Sequence, residues 1–200
     1  MTLNNVTPLW CVTRKLTPFL SSKMTNLDHK ITISPIGLVN SPYKDKFAIP
    51  RQPGLVSAAK GTIKLIGDVN NSDSVRELAQ FSHIWLLFVF HGTQTQGWSS
   101  LVRPPRLGGN KKVGVLATRS TFRPNPIGMS VVKLDKIEQH QQNILLHISG
   151  MDLLDQTPII DIKPYIPYSD SLPYAKAGFA DTAPQVDLTI KFSEQAQQSL

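Results

Sequence analysis

Arg119 and Arg123 lie four residues apart in Ala117-Thr-Arg-Ser-Thr-Phe-Arg-Pro-Asn-Pro-Ile-Gly128, and no Asp or Glu occurs anywhere from Leu78 to Leu134. Pro124 and Pro126 forbid this segment from continuing as an ordinary helix or central strand, so a stiff loop presents the two guanidiniums. Arginine grips phosphate or carboxylate through paired hydrogen bonds, which suits a nucleotide, a carboxylated cofactor or both. Three further segments have the composition of a site. Ser41 to Gly54 fixes Arg51 and Gln52 between Pro50 and Pro53, a stiffness that lowers the entropy lost on binding. Phe90-His91-Gly92 ends an apolar run, where loops begin and a glycine lets a ligand approach the backbone. Ser149 to Tyr168 carries Asp152, Asp155 and Asp161. Asp155, in a turn, is expected to be the more accessible, whereas Asp161 and Lys163 are candidates for a structural ion pair.

These residues sit in an uneven field. Residues 1–77 hold ten basic and five acidic side chains, residues 78–134 seven and none, and residues 135–200 four and nine, within a net charge of +7. One basic face is implied, and such faces meet nucleic acid, acidic metabolites or anionic membrane. The 40% hydrophobic and 18% charged composition of the 200 residues is globular. A single cysteine, Cys11, excludes an internal disulfide and a cysteine zinc site and fits a reducing, cytoplasmic setting. The apolar run Ile84 to Phe90 is far too short to span a membrane and reads as a buried strand. The five histidines lack ligand spacing with carboxylates, so no metal is expected. Glycine-rich phosphate and dinucleotide turns are absent.

The elements that must position the site read as short strands: 31–39, 61–66, 83–90, 113–118, 129–137, 144–149, 159–162 and 186–192, separated by turn signals. Only Ser72 to Phe81 has helical spacing, with Ser72 or Asp73 as N-cap. The fold class is mainly β, a small closed barrel with one short helix and long proline-rich loops, because closure removes exposed edges. Residues 1–25 are expected to be a disordered or non-native extension, 26–170 the barrel domain, and 171–200 the start of a truncated small domain.

Five ordered motifs carry a resemblance: Ile36-Gly-Leu-Val-Asn-Ser-Pro-Tyr43, Pro50-Arg-Gln-Pro-Gly54, Phe81-Ser-His-Ile-Trp85, the arginine loop, and Asp161-Ile-Lys-Pro-Tyr165. Together they resemble the TsaA-like domain family of TrmO-type transfer-RNA methyltransferases, from about Leu38 to Asp170. The resemblance implies a small β-barrel that binds S-adenosylmethionine outside the Rossmann class and N6-methylates threonylcarbamoyladenosine at position 37, beside the anticodon. It implies cofactor contacts at Pro50, Arg51, Gln52, His91, Gly92, Arg119, Met129, Ser149, Gly150, Met151 and Asp152. It also implies a homodimer with the cofactor near the subunit boundary.

Methyl transfer from a sulfonium is an in-line displacement, so alignment and a proton acceptor are needed and a nucleophilic side chain is not. On this reading Arg119 or Arg51 takes an anionic group, Asp152 the cofactor's polar groups, and Asp155 or His91 the proton. Arg103, Arg106, Lys111, Lys112 and Arg123 would meet phosphates of the anticodon stem-loop. Two rivals stay open: the same cofactor with another acceptor, or a noncatalytic basic RNA-binding barrel.

Overall fold

The computed structural model describes residues 30–184 and 193–198. The chain divides between Thr32 and Ile33, and every strand among the described residues belongs to the unit that begins at Ile33. The expected extension at residues 1–25 and the expected strand at 186–192 lie outside the described residues.

Six strands close into an antiparallel barrel: β1 (Gly37–Asn40), β2 (Lys60–Leu65), β3 (His83–Val89), β6 (Ile127–His140), β7 (Asn143–Ser149) and β8 (Pro158–Pro164), in the order β1-β2-β7-β6-β3-β8. Two short strands, β4 (Leu101–Val102) and β5 (Val113–Gly114), pair separately. The barrel follows from alternation. Ile84, Leu86 and Phe88 on β3, Val132 and Leu134 on β6, and Ile144, Leu146 and Ile148 on β7 all point inward and are buried, while their neighbours point out. Val39, Ile63, Met151, Leu153 and Ile159 complete the core. Strand β6 is long enough to pair with β3 through its first half and β7 through its second, shifting register between Leu134 and Lys136. This shift is a bulge of the kind that bends a strand around a barrel. Pairing of Gly37 with Ile159 and Leu38 with Pro158 closes the cylinder and leaves no barrel edge open.

The structure differs from expectation at three elements. Ser72 to Phe81 is not a helix but two 3-10 turns, Asp73–Val75 and Leu78–Gln80, broken where Glu77 takes φ 66°. Neither turn buries a residue, and a short segment without a packed stripe does not repay helix nucleation. The strand expected over 31–39 begins only at Gly37. The strand expected over 113–118 stops at Gly114, and Val115–Ala117 turns away as a 3-10 turn toward the arginine loop. Beyond β8 the chain makes one helical turn, α1 (Pro167–Asp170), and runs exposed through residues 171–184.

Candidate functional site

The proline-pinned loop at 41–54 is fastened at both ends to the segment after β7. At its start the Ser41 hydroxyl donates to the Leu153 carbonyl at 2.9 Å, and the Ser41 amide donates to Asp155 Oδ1 at 2.9 Å. Lys44 Nζ reaches Asp155 Oδ2 at 2.5 Å. At its end the Gly54 amide donates to the Gly150 carbonyl at 2.8 Å. Gly150 takes φ +71°, a conformation that side chains other than glycine adopt at a cost.

Asp155 is less open than its place in a turn implies. Its side chain is 15% exposed against 42% for Asp161, so it is the less accessible of the two. The bond from Lys44 and then the Ser41 amide hold its carboxyl below the ordinary range, which suits a loop anchor and disfavours a base. Asp161 forms the expected ion pair with Lys163, at 2.8 Å.

The two arginines of the Pro-rich loop do different work. Arg119 is exposed and donates from Nη1 to Gln52 Oε1 at 2.7 Å, joining the third segment to the first. Arg123 instead folds back, donating from Nη1 to the carbonyls of Thr118 at 3.1 Å and Ser120 at 3.3 Å. It clamps its own loop, a structural duty that competes with the phosphate contact expected of it.

Asp152 lies mostly buried near Arg119, and its Oδ1 accepts the Ser130 hydroxyl at 2.6 Å. Burial raises its carboxyl above the ordinary carboxylate range, against the lowering effect of Ser130, its own amide and the Arg119 charge. No ion pair joins Arg119 to Asp152 among the described residues, although the Arg119 charge acts on the Asp152 carboxyl. Ser130 did not emerge from the sequence. Its signal was a hydroxyl at an inward position of β6, between Gly128 and Val132, where it is 1% exposed.

His91 lies two residues beyond the end of β3, and the intervening Phe90 amide donates to the Pro126 carbonyl at 2.8 Å, placing this strand end against the arginine loop. Gly92 lies beside Leu154, with a methyl's width to spare: a Cβ there would be 3.5 Å from Leu154 Cδ2. Ser149 and Met151 are buried, and Met151 packs over Gly61. Met129, 51% exposed, stands on the opposite face of β6 from Ser130. Its side chain is the one member of the expected cofactor set that the strand turns to the outside.

Of the expected phosphate contacts, Arg103, Lys111 and Lys112 are exposed in the connection between β4 and β5. Arg106 is exposed too, yet its guanidinium bonds Thr182 through both the carbonyl and, at 3.1 Å, the hydroxyl.

Comparison with known proteins bears on this arrangement. A family model described as the tRNA-methyltransferase O N-terminal domain matches residues 38–171. The tRNA (adenine(37)-N6)-methyltransferase of Escherichia coli K12 is 53% identical over 165 residues, covering 82% of this chain and 70% of that protein. A probable S-adenosyl-L-methionine-binding protein of Pyrococcus abyssi is 36% identical over 151 residues, covering 76% and 77%. The crystal structure of TrmO from Pseudomonas aeruginosa superposes with a TM-score of 0.70 at 44% identity, covering 85% of this chain and 71% of that one. Barrel, motifs and matched span agree, and the chain belongs to the tRNA-methyltransferase O N-terminal domain family.

Proposed function

We propose that this chain is an S-adenosylmethionine-dependent transfer-RNA methyltransferase that methylates N6 of adenosine 37, with threonylcarbamoyladenosine as the acceptor nucleoside. The observation that carries the reading is the convergence of four distant segments on one barrel rim, through Gln52–Arg119, Gly54–Gly150, Phe90–Pro126 and Ser130–Asp152. The relatives named above as a tRNA (adenine(37)-N6)-methyltransferase and as a S-adenosyl-L-methionine-binding protein support the reaction and the cofactor.

The residues fit such a cofactor. A guanidinium whose charge acts on a mostly buried carboxyl without pairing with it suits a zwitterion, and the Gly150 backbone adds a close approach without a side chain. Arg119 holds the carboxylate, Gln52 fixes the guanidinium's direction, and Asp152 accepts from the amino and hydroxyl groups. When bound, the cofactor supplies an electrophilic methyl group on a sulfonium. The chain's own part is to align the acceptor nitrogen in line with that group, which is worth several orders of magnitude in rate. The ureido carbonyl of the modified base acidifies the acceptor N–H, so a modest base suffices; His91, at the strand end beside the Pro126 loop, takes that proton. Asp155, spent on Lys44 and Ser41, anchors the loop instead.

Arg103, Lys111 and Lys112 serve the phosphates of the anticodon stem-loop. The exposed apolar side chains Ile127 and Met129 on the outer face of β6 favour a homodimer in which a second copy covers them. Among the described residues no helix is long and apolar enough to cross a membrane, and work on transfer RNA suits the cytoplasm.

Methyl transfer from labelled S-adenosylmethionine to transfer RNA with and without the threonylcarbamoyl group, followed by nucleoside mass analysis, tests the reading. Product confined to the modified substrate and lost in Arg119→Ala is the expected result. Cofactor binding without transfer to either RNA would shift the case to another acceptor, and absence of cofactor binding would leave the basic RNA-binding barrel.

A further inference from the structure

Phe47 is 80% exposed in the middle of the loop that carries Arg51 and Gln52. Single exposed apolar side chains are common and need no role. Phe47 differs in how firmly it is held there. Its amide donates to Asp45 Oδ1 at 2.7 Å, and the Ala48 amide donates to the Asp45 carbonyl at 3.1 Å, which closes a tight turn around it. On one side the Ser41 and Lys44 bonds to Asp155 clamp the loop, and on the other the Gly54–Gly150 and Gln52–Arg119 bonds do. Between those clamps the ring is presented outward. Lys46 Nζ lies over one face of the ring, 5.1 Å from its centroid.

A fixed aromatic ring with a cation over one face can hold an unstacked nucleotide: the base stacks on the other face, and the ammonium meets the adjoining phosphate. The loop also has the right charge. Lys44 is balanced by Asp155, while Lys46 and Arg51 face only Asp45 within the loop, and Asp45 is occupied in making the turn. An adenine whose N6 must meet a methyl donor has to leave its helical stack, and the platform belongs to the same clamped loop as Gln52, whose side chain holds Arg119 where that donor would sit.

We infer that Phe47 is the stacking platform for an unstacked base of the RNA substrate, with Lys46 on its phosphate, an assignment that rests on the RNA-methyltransferase reading above. It adds to that reading a contact outside the arginine loop and outside the β4–β5 cations.

The test uses the whole chain and a fluorescein-labelled anticodon stem-loop carrying threonylcarbamoyladenosine, with affinity read by anisotropy across a salt series. Stacking on one aromatic predicts that Phe47→Ala weakens RNA binding by about 5- to 150-fold. Phe47→Trp restores it. The slope of log affinity against log salt stays the same in Phe47→Ala, because no phosphate contact is lost, and falls by about one in Lys46→Ala. Affinity for S-adenosylmethionine, read by calorimetry without RNA, is unchanged in all three variants. RNA affinity within about twofold of the parent in Phe47→Ala, well below the loss expected of a stacked base, would overturn the inference while leaving the methyltransferase reading intact. So would a Trp variant as weak as the Ala variant, or a Phe47→Ala defect that tracks with altered sedimentation, which would assign the ring to a contact between copies. A parent chain that binds neither this RNA nor the cofactor would remove both readings together.

Discussion

The Ser130 hydroxyl and the Asp152 carboxylate meet at 2.6 Å across the edge where β6 leaves β7, one from an inward strand position and one from the segment that follows Ser149. The antiparallel register that pairs Lys133 with Ser149 brings position 130 opposite position 152 when continued three residues. A strand pairing therefore builds the site's acidic half, and the Pro-rich loop supplies its basic half through Arg119.

Asp152 is a buried acid whose proton affinity is raised, so the folded chain holds that proton more tightly than the unfolded one does. Its contribution to stability is therefore fullest below the ordinary carboxylate value and is lost as pH rises through the raised folded value. Asp152→Asn should abolish that dependence and raise the thermal midpoint of the ligand-free protein at neutral pH. It should also weaken S-adenosylmethionine about tenfold or more, since a charged hydrogen-bond acceptor is lost. Melting curves across the acid-to-neutral range beside calorimetric titration of the cofactor check both halves; a destabilised variant with unchanged cofactor affinity would reduce Asp152 to a packing residue.

Asp155 has the opposite sign. Lys44 and the Ser41 amide hold its carboxyl low, so its contribution is present above the ordinary carboxylate value and is lost as pH falls through the lowered folded value. Asp155→Ala should cost about 1–2 kcal/mol in urea unfolding at neutral pH and little once the folded carboxyl is itself protonated. By releasing the 41–54 loop it should raise KM for the cofactor more than it lowers kcat. A collapse of kcat with a flattened pH–rate profile would mean that Asp155 accepts the proton after all, and His91→Ala measured alongside should show that pattern instead.

The barrel was legible because its inward residues, Ser130 apart, are apolar at every second position, as in Ile84, Leu86 and Phe88, and because turn residues separate the runs. The stiffness of the arginine loop was legible for the same reason, since proline's restriction is local. Which arginine faces outward was not. Arg119 and Arg123 are equivalent in composition, and only the carbonyls of Thr118 and Ser120 decide that Arg123 turns inward. The anchoring of Asp155 was not legible, because its partner amide lies 114 residues away in sequence. The helix expected over Ser72 to Phe81 failed because Val75 and Leu78 are only half-buried, so spacing alone had too little to pack against.

Gly128 tests how closely the arginine loop must lie on the barrel. A Cβ at this position would stand 2.5 Å from the Phe88 ring and 2.8 Å from the Phe90 ring, which are themselves packed edge to face at 5.3 Å. Neither ring moves freely, because Phe88 is buried and the Phe90 amide is tied to Pro126. Gly128→Ala should therefore destabilise by about 1–3 kcal/mol in denaturant unfolding. It should also weaken cofactor binding by displacing the His91–Gly92 strand end. A variant of normal stability would show that the rings yield and that the contact is not a constraint.

The β4–β5 cations separate phosphate contacts from loop supports. Lys111 and Lys112 are exposed and make no ion pair among the described residues, whereas Arg123 is committed to Thr118 and Ser120. Replacing Lys111 and Lys112 together by Ala should lower the slope of log affinity for transfer RNA against log salt by about two, through the loss of two counterion-releasing contacts. Cofactor affinity should be unaffected. Arg123→Ala should do the reverse, weakening the cofactor and lowering the melting temperature while leaving the salt slope near that of the parent, because freeing the loop carbonyls disorders Arg119 rather than removing a phosphate partner. Titrations at several salt concentrations read the two effects separately. If Arg123→Ala lowers the slope and spares the cofactor, its guanidinium leaves the loop carbonyls for phosphate when RNA binds.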